Sequence, residues 1–163
     1  MLSLEHRGRV VVSWSVNTVE VARQEESGAS SITDRLDAAY KCREAGYKIG
    51  FHFDPLIYYP GWEAGYKETV DMIFSKIKPE SISWISLGAL RFNPELKPVI
   101  RRKFPDSKII YEEMLPALDG KLRYFITIRR QMYRELIKYI RAYSPPAPVY
   151  LCMEKNSLAE DVF

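Results

Sequence analysis

The segment from Lys48 to Trp62 reads Lys-Ile-Gly-Phe-His-Phe-Asp-Pro-Leu-Ile-Tyr-Tyr-Pro-Gly-Trp and holds a dense set of side chains able to do chemistry. His52 can donate or accept a hydrogen bond. Asp54 can accept hydrogen bonds, and Tyr58, Tyr59 and Trp62 can stack on a planar ligand. An apolar run that ends in a carboxylate and several aromatics is how α/β proteins build ligand sites at strand carboxyl ends. The same residues also describe a strand followed by a loop that only packs. Pro55 is expected to stop the ladder, because it lacks an N–H and restrains the residue before it.

A second polar set lies in the first apolar run, Arg9 to Val16, closed by Asn17-Thr18. Strand alternation puts Ser13, Ser15 and Asn17 on one face, and Trp14 and Val16 on the other. His52 and Asp54 share a face for the same reason. Inside a barrel these groups would line the interior and meet a polar ligand; otherwise they bond to neighbouring backbone.

Further along, Lys121, Arg123, Arg129 and Arg130 interleave with Tyr124, Phe125 and Tyr133. Arginine among aromatics can grip phosphates and stack bases, though an amphipathic helix with solvated arginines has the same pattern. Arg101-Arg102-Lys103 complements a helix carboxyl end. Glu112 and Glu113 could supply a base or a metal ligand, but adjacent strand residues point apart. No P-loop, GxGxxG, GxSxG or HExxH motif is present, and His6 and His52 are too far apart for a local metal motif, so no metal site is expected on this chain.

The elements that must position these groups alternate. Strands are expected at 9–16, 49–53, 81–87, 108–111 and 149–152. Between them the helical periods span 31–45, 62–78, 94–104 and 126–143, and residues 19–30 form a loop with at most a short helical piece. Thr33 or Ser31 can cap the first long helix, and Leu36, Ala39, Tyr40 and Cys42 or Arg43 follow its period. Tyr66, Val70, Ile73, Phe74 and Ile77 stripe the second. Gly88 begins the exit loop of the third strand. Residues 112–124 read as irregular, with a turn at Asp119-Gly120. Pro145, Pro146 and Pro148 end the last helix, and the tail has no clear signal. The alternation implies parallel βα units.

The chain has 163 residues, 47% of them hydrophobic and 28% charged, as expected of one globular α/β fold. Aromatics make up 13%, with 11 Tyr, and the net charge of +3 permits anionic partners without demanding nucleic acid. Cys42 and Cys152 are far apart and form no CxxC pair, so free thiols and a cytoplasmic location are expected. No apolar run reaches the roughly 18 residues of a membrane span, and the opening is too polar for a signal peptide. A full eight-unit barrel needs about 250 residues. Met1 also stands close ahead of a strong strand, so the chain reads as the latter part of something larger.

Seven segments together carry a resemblance. They are Ser-Trp-Ser-Val-Asn at 13–17, Gly-Tyr-Lys-Ile-Gly-Phe at 46–51, Asp-Pro-Leu-Ile-Tyr-Tyr-Pro-Gly-Trp at 54–62, Ser-Leu-Gly-Ala-Leu-Arg-Phe at 86–92, Phe-Pro-Asp-Ser-Lys at 104–108, Asp-Gly-Lys-Leu-Arg-Tyr-Phe at 119–125 and Val-Tyr-Leu-Cys-Met-Glu at 149–154. Nearly the whole chain resembles the C-terminal half of radical S-adenosylmethionine proteins of the spore photoproduct lyase family. It is closer to a broad lyase-like branch than to the established spore enzymes, whose C-terminal segment differs.

The resemblance implies an α/β fold, the C-terminal part of a partial (β/α)6 barrel, with residues 1–112 as a half-barrel and 113–163 as an extension. It implies a four-iron four-sulfur cluster on a CxxxCxxC motif, reductive cleavage of S-adenosylmethionine to a 5′-deoxyadenosyl radical, and reversal of a thymine dimer in DNA. It gives Ser15 a cofactor contact within a Ser-x-Asn motif that includes Asn17. It places Asp54 at a cofactor-contacting position where the spore enzymes carry a smaller residue. Ser13 and His52 join this cofactor-binding set through their shared strand faces. Arg123 and Tyr124 fall where the family reaches toward DNA, with Tyr58 and Tyr59 as further candidates for the substrate.

CxxxCxxC is absent from the sequence, and the cysteine that returns hydrogen in the spore enzymes belongs to the half not represented here. The expectation is therefore a chain that does not catalyse alone and works with an N-terminal half carrying the cluster. The alternative is a DNA- or anion-binding module without catalysis. An open half-barrel exposes a strand edge, so self-association through residues 9–16 is expected. Light scattering across micromolar concentrations should show a mass that rises with concentration; a constant monomer mass would contradict it.

Overall fold

Thr18 and Ser31 begin the first two helices, each by accepting a hydrogen bond from a backbone N–H one turn on, Val21 and Asp34, at 3.1 Å. The computed structural model describes residues 2–143 and 147–163. In chain order the elements are β1 (Val11–Ser15), α1 (Val19–Glu25), α2 (Ile32–Glu44), β2 (Lys48–Leu56), α3 (Trp62–Lys76), β3 (Ile82–Ala89), β4 (Arg91–Phe92), α4 (Leu96–Lys103), β5 (Met114–Pro116), β6 (Leu122–Tyr124), α5 (Ile126–Tyr143), β7 (Val149–Leu151) and α6 (Asn156–Val162). Gly46, at φ 84°, closes α2 in the left-handed region that glycine tolerates.

The main sheet is parallel throughout, in the order β1-β2-β3-β7. A second sheet is antiparallel, in the order β4-β6-β5. The two faces of the main sheet differ in chemistry. Ile49, Phe51 and Phe53 of β2, with Ile85 and Leu87 of β3, are fully buried. Leu36, Ala39 and Cys42 of α2 and Tyr66, Val70 and Ile73 of α3 join them in one core. Burying each large apolar side chain stabilises the fold by about 1.5–3 kcal/mol. The opposite face carries Ser13 and Ser15 of β1, Gly50, His52 and Asp54 of β2, and Trp84, Ser86 and Gly88 of β3, in register across the three strands.

Several expectations need correction. No strand forms at 108–111; that stretch is a turn whose Ile110 is buried as an anchor, and β7 takes the place beside β3. Glu112 and Glu113 consequently do not lie on a strand. Pro55 does not end β2, which continues to Leu56 with a register shift between Phe53 and Leu56 that absorbs the missing N–H. Nor does Gly88 leave the sheet, since β3 runs to Ala89.

The segment expected to be irregular holds the β5–β6 hairpin, and Asp119-Gly120 is its turn, with Gly120 at φ 76°. The tail, which gave no signal, contains α6, anchored by buried Leu158 and Val162. Ser31, not Thr33, caps α2, and Tyr40 is exposed beneath the Arg43 guanidinium instead of following the apolar stripe. Phe74 is only partly buried and stacks on Tyr143 of α5. Pro145 and Pro146 lie outside the described residues. Among the described residues, no helix is long and apolar enough to cross a membrane.

Three tyrosines anchor loops to this core with their hydroxyls. Tyr66 accepts from the Ile57 N–H at 2.7 Å, Tyr124 from Tyr58 at 3.2 Å and Tyr133 from Ala89 at 2.8 Å. Burial pushes the Tyr124 phenol up to about 12 from 10.0. It also raises those of Tyr66 and Tyr133, the latter further because of Glu154. The fold thus favours the neutral phenols. Their contribution to stability is complete below the unfolded value of 10.0 and is lost as pH climbs toward about 12. A tyrosinate absorbance titration should show two phases, the later one coinciding with loss of the helical circular dichroism signal. One early phase with the fold intact would contradict this burial.

Candidate functional site

At the carboxyl end of β2, the carboxylate of Asp54 receives both terminal nitrogens of the Arg91 guanidinium, at 2.9 and 3.0 Å. This is the two-pronged geometry in which Arg binds a carboxylate most strongly. Asp54 is positioned by β2, and Arg91 by β4, directly after the end of β3. The pair fits because position 88 is glycine. A Cβ there would lie 2.7 Å from the Asp54 carboxylate, inside contact distance. The Asp54 carboxylate is 21% exposed and the Arg91 side chain 15%, so the pair is partly desolvated yet open to a ligand. Pairing with Asp54 raises the Arg91 pKa further.

Cys152, just past β7, completes this corner, with Arg91 Nη2 at 3.5 Å from its Sγ. Burial, and then Asp54, push the Cys152 thiol up from its ordinary value, so it stays protonated. One pleat below, the Nδ1 of His52 hydrogen-bonds to Ser86 Oγ at 2.6 Å. Ser86 is buried, and this bond orients the imidazole on the open face. Trp84 lies across Gly50, and its indole N–H is buried with no acceptor among the described residues.

Ser13 and Ser15 are exposed on the edge strand and line a cleft of about 480 Å³ with Trp14, Asp34 and Arg35. Arg35 donates to the Ser15 carbonyl at 3.1 Å and pairs with Glu26. A second cleft, of about 300 Å³, joins Ser15 and Asn17 to Asp54, Ile57 and Ile109. Asn17 itself is buried at a knot. Its amide donates to the Pro55 carbonyl at 3.0 Å, and its oxygen accepts from Thr18 N–H at 3.0 Å and from Tyr66 hydroxyl at 2.8 Å. It ties the ends of β1 and β2 to α3. Tyr59 donates to Thr18 Oγ1 at 3.0 Å, while Tyr58 meets Tyr124 edge-on at 6.1 Å.

The structure therefore brings Ser13, Ser15, His52 and Asp54 onto one open face and puts Asn17 beneath its rim. Arg123 and Tyr124 are instead buried, at 8% and 1% exposure. Arg123 donates to the Met153 carbonyl at 3.0 Å and pairs with Asp119 and Glu154. Arg129 and the Tyr133 hydroxyl share Glu154, and Arg130 pairs with Asp161. This basic and aromatic segment thus folds inward onto the tail. Among the described residues, no group of three His, Cys, Asp or Glu could hold a metal ion.

Comparison with known proteins bears directly on this arrangement. The sequence model of the family described as spore photoproduct lyase matches residues 1–141. The chain belongs to the spore photoproduct lyase family. It is 30% identical over 157 residues to the spore photoproduct lyase of a Geobacillus species, covering 91% of this chain and 46% of that protein. Against the Bacillus subtilis enzyme the identity is 29% over 115 residues, covering 69% of this chain and 34% of that one.

Solved structures agree. A spore photoproduct lyase complexed with dinucleoside spore photoproduct superposes with a TM-score of 0.81 at 28% identity, covering 93% of this chain and 47% of that chain. A double mutant of the lyase with bound AdoMet and the dinucleoside superposes at 0.77 and 26% identity, with the same coverage. The chain spans about half the length, or less, of the lyases it matches.

Within this lyase fold, sequence reasoning did not pair Arg91 with Asp54, and it left Cys152 without a role. The signal available was parity. Trp84, Ser86 and Gly88 alternate on β3 as His52 and Asp54 do on β2. Asp54→Asn should lower the pH midpoint of Cys152 alkylation, because the carboxylate that raises the thiol is gone and Arg91 is freed. An unchanged midpoint would mean that Asp54 and Cys152 do not interact.

Proposed function

We propose that this chain is the C-terminal, partial-barrel portion of a spore photoproduct lyase-like radical S-adenosylmethionine enzyme of the DNA photoproduct repair type. In this reading residues 1–112 contribute the half-barrel and 113–163 the extension. It lines the nucleoside side of the cofactor site and depends on an N-terminal half for the cluster. The observation that carries this reading is the polar face of the parallel sheet, in register across β1, β2 and β3, on which Ser13 and Ser15 are exposed and His52 and Asp54 half-buried.

Its donor set suits a nucleoside cofactor with hydroxyls and a charged amino-acid end. The Ser13 and Ser15 hydroxyls can donate or accept, His52 is held ready by Ser86, and Asp54 retains acceptor capacity beside Arg91. Asn17 supports Ser15 from below by fixing the β1–β2 rim. When bound, S-adenosylmethionine supplies the 5′-deoxyadenosyl group, and the residues here orient its nucleoside and screen it from water.

The iron–sulfur cluster does not fit this chain. Cys42 is buried in the helical core, and Cys152 lies across the sheet beside Asp54, so three thiolates cannot converge. The alternative reading, a DNA- or anion-binding module centred on residues 119–133, draws less support, because Arg123 and Tyr124 are occupied within the fold.

Anaerobic reconstitution with iron and sulfide should give no stoichiometric cluster on this chain alone. Mixed with a polypeptide carrying the CxxxCxxC half, it should form the cluster and, given S-adenosylmethionine and a chemical reductant such as dithionite, release 5′-deoxyadenosine. Asp54→Ala should weaken S-adenosylmethionine binding about tenfold or more, the scale of a lost charge-assisted hydrogen bond. A full cluster on this chain by itself would overturn the reading.

A further inference from the structure

Ser86 of β3 and His52 of β2 stand in register on the polar face of the main sheet. Ser86 Oγ and His52 Nδ1 lie 2.6 Å apart, a short hydrogen bond that either group could donate. Which of them donates decides what His52 offers a ligand. If Nδ1 carries the proton of the neutral ring, Nε2 is a bare acceptor. If Ser86 donates, Nδ1 is the acceptor and the proton sits on Nε2.

The buried hydroxyl separates the two cases. Ser86 is 1% exposed, so bulk water does not reach it. Among the described residues, His52 is the hydrogen-bond partner of its side chain. Trp84, on the same face of β3, cannot take the proton, because an indole N–H only donates, and it is itself buried without an acceptor. Asp54, on the same face of β2, turns its carboxylate to Arg91 over Gly88. Were Ser86 the acceptor, its own proton would be buried with nowhere to go, a state that folded proteins avoid. With Ser86 as donor, both its hydroxyl and Nδ1 are satisfied. Nε2 then remains without a partner among the described residues, on a half-buried ring at the polar face.

His6 provides an internal standard. Its Nε2 donates to the Ala45 carbonyl at 3.0 Å, and its Nδ1 accepts from the Gly8 N–H at 3.1 Å. A carbonyl only accepts and an amide N–H only donates, so His6 holds the Nε2–H form through partners that do not include Ser86.

We propose that Ser86 is a positioning residue that fixes His52 as its Nε2–H tautomer, so that His52 presents a hydrogen-bond donor to the polar face. A ligand seated there must then offer His52 an acceptor, a ring nitrogen or a ribose or carboxylate oxygen of the nucleoside cofactor, and not an amino group. The serine hydroxyls of β1 can turn either way and the Asp54 carboxylate only accepts. His52 is therefore the member of the set whose hydrogen-bonding sense is decided by a buried neighbour. The choice of ligand group rests on the cofactor reading above, whereas the tautomer needs no ligand to be measured.

The test is nitrogen NMR of the full chain labelled in its histidine rings, at a pH where both rings are neutral. Native His52 should show a bare Nδ1 and a protonated Nε2, as His6 does. Ser86→Ala should move both His52 nitrogens toward the averaged positions of exchanging tautomers. The His6 signals should stay in place, which also shows that the variant is folded. Saturation with S-adenosylhomocysteine should shift the native His52 Nε2–H downfield. A protonated Nδ1 in native His52, or His52 signals that Ser86→Ala leaves unmoved, would overturn the proposal. So would an Nε2–H that does not shift while calorimetry records binding. No binding at all would sink the cofactor reading and the acceptor assignment with it, with the tautomer decided separately by the spectra of the free chain.

Discussion

The strict two-residue period of β2, held in the centre of a parallel sheet, constrains nearly everything else in this molecule. Ile49, Phe51 and Phe53 must face the helices, because no other surface can bury them. Gly50, His52 and Asp54 are thereby forced to the opposite face. Parallel pairing carries the same division to Ser13 and Ser15 on one side and to Trp84, Ser86 and Gly88 on the other. A slip of one residue would bury Asp54 and expose Phe53, so core packing and site assembly are one constraint.

The rim of this face is built from hydrogen bonds that serve structure and position together. Asn17, Tyr66 and Thr69 join the ends of β1 and β2 to α3. Tyr133 joins the end of β3 to Glu154 in the tail, where Arg123 and Arg129 also meet. Partnered buried charges of this kind hold the hairpin and tail in place at some cost in desolvation. They leave the carboxyl edge of the sheet rigid, with Asp54 and Arg91 presented at its centre.

Sequence reasoning succeeded where one local period decides the outcome. The long helices, the first three strands and the shared faces of Ser13 with Ser15 and His52 with Asp54 follow from spacing alone. It failed where a residue's neighbours come from distant segments. Lys108 to Tyr111 has the composition of a strand, but β7 occupies the place beside β3. The turn of the β5–β6 hairpin at Asp119-Gly120 is legible locally, but its strands pair beside β4, a partner that residues 112–124 alone do not announce. Arg123 and Tyr124 look like a surface that grips nucleic acid, yet Glu154 and the core claim them.

By itself, then, the sequence determined the alternating α/β order, the two chemically distinct faces of the strands and, through seven short segments, the likeness to the spore photoproduct lyase family. Those properties depend on backbone periodicity and side-chain type, which are written locally. Only the tertiary structure decided that Asp54 is clamped by Arg91 under the permission of Gly88, that Cys152 joins them, and that Asn17 supports the rim. It also decided that Arg123 and Arg129 turn inward to share Glu154. The Asp54–Arg91, Asn17–Pro55 and Arg91–Cys152 contacts span 37, 38 and 61 residues of chain, and which partner each group finds depends on how the sheet brings strand ends together.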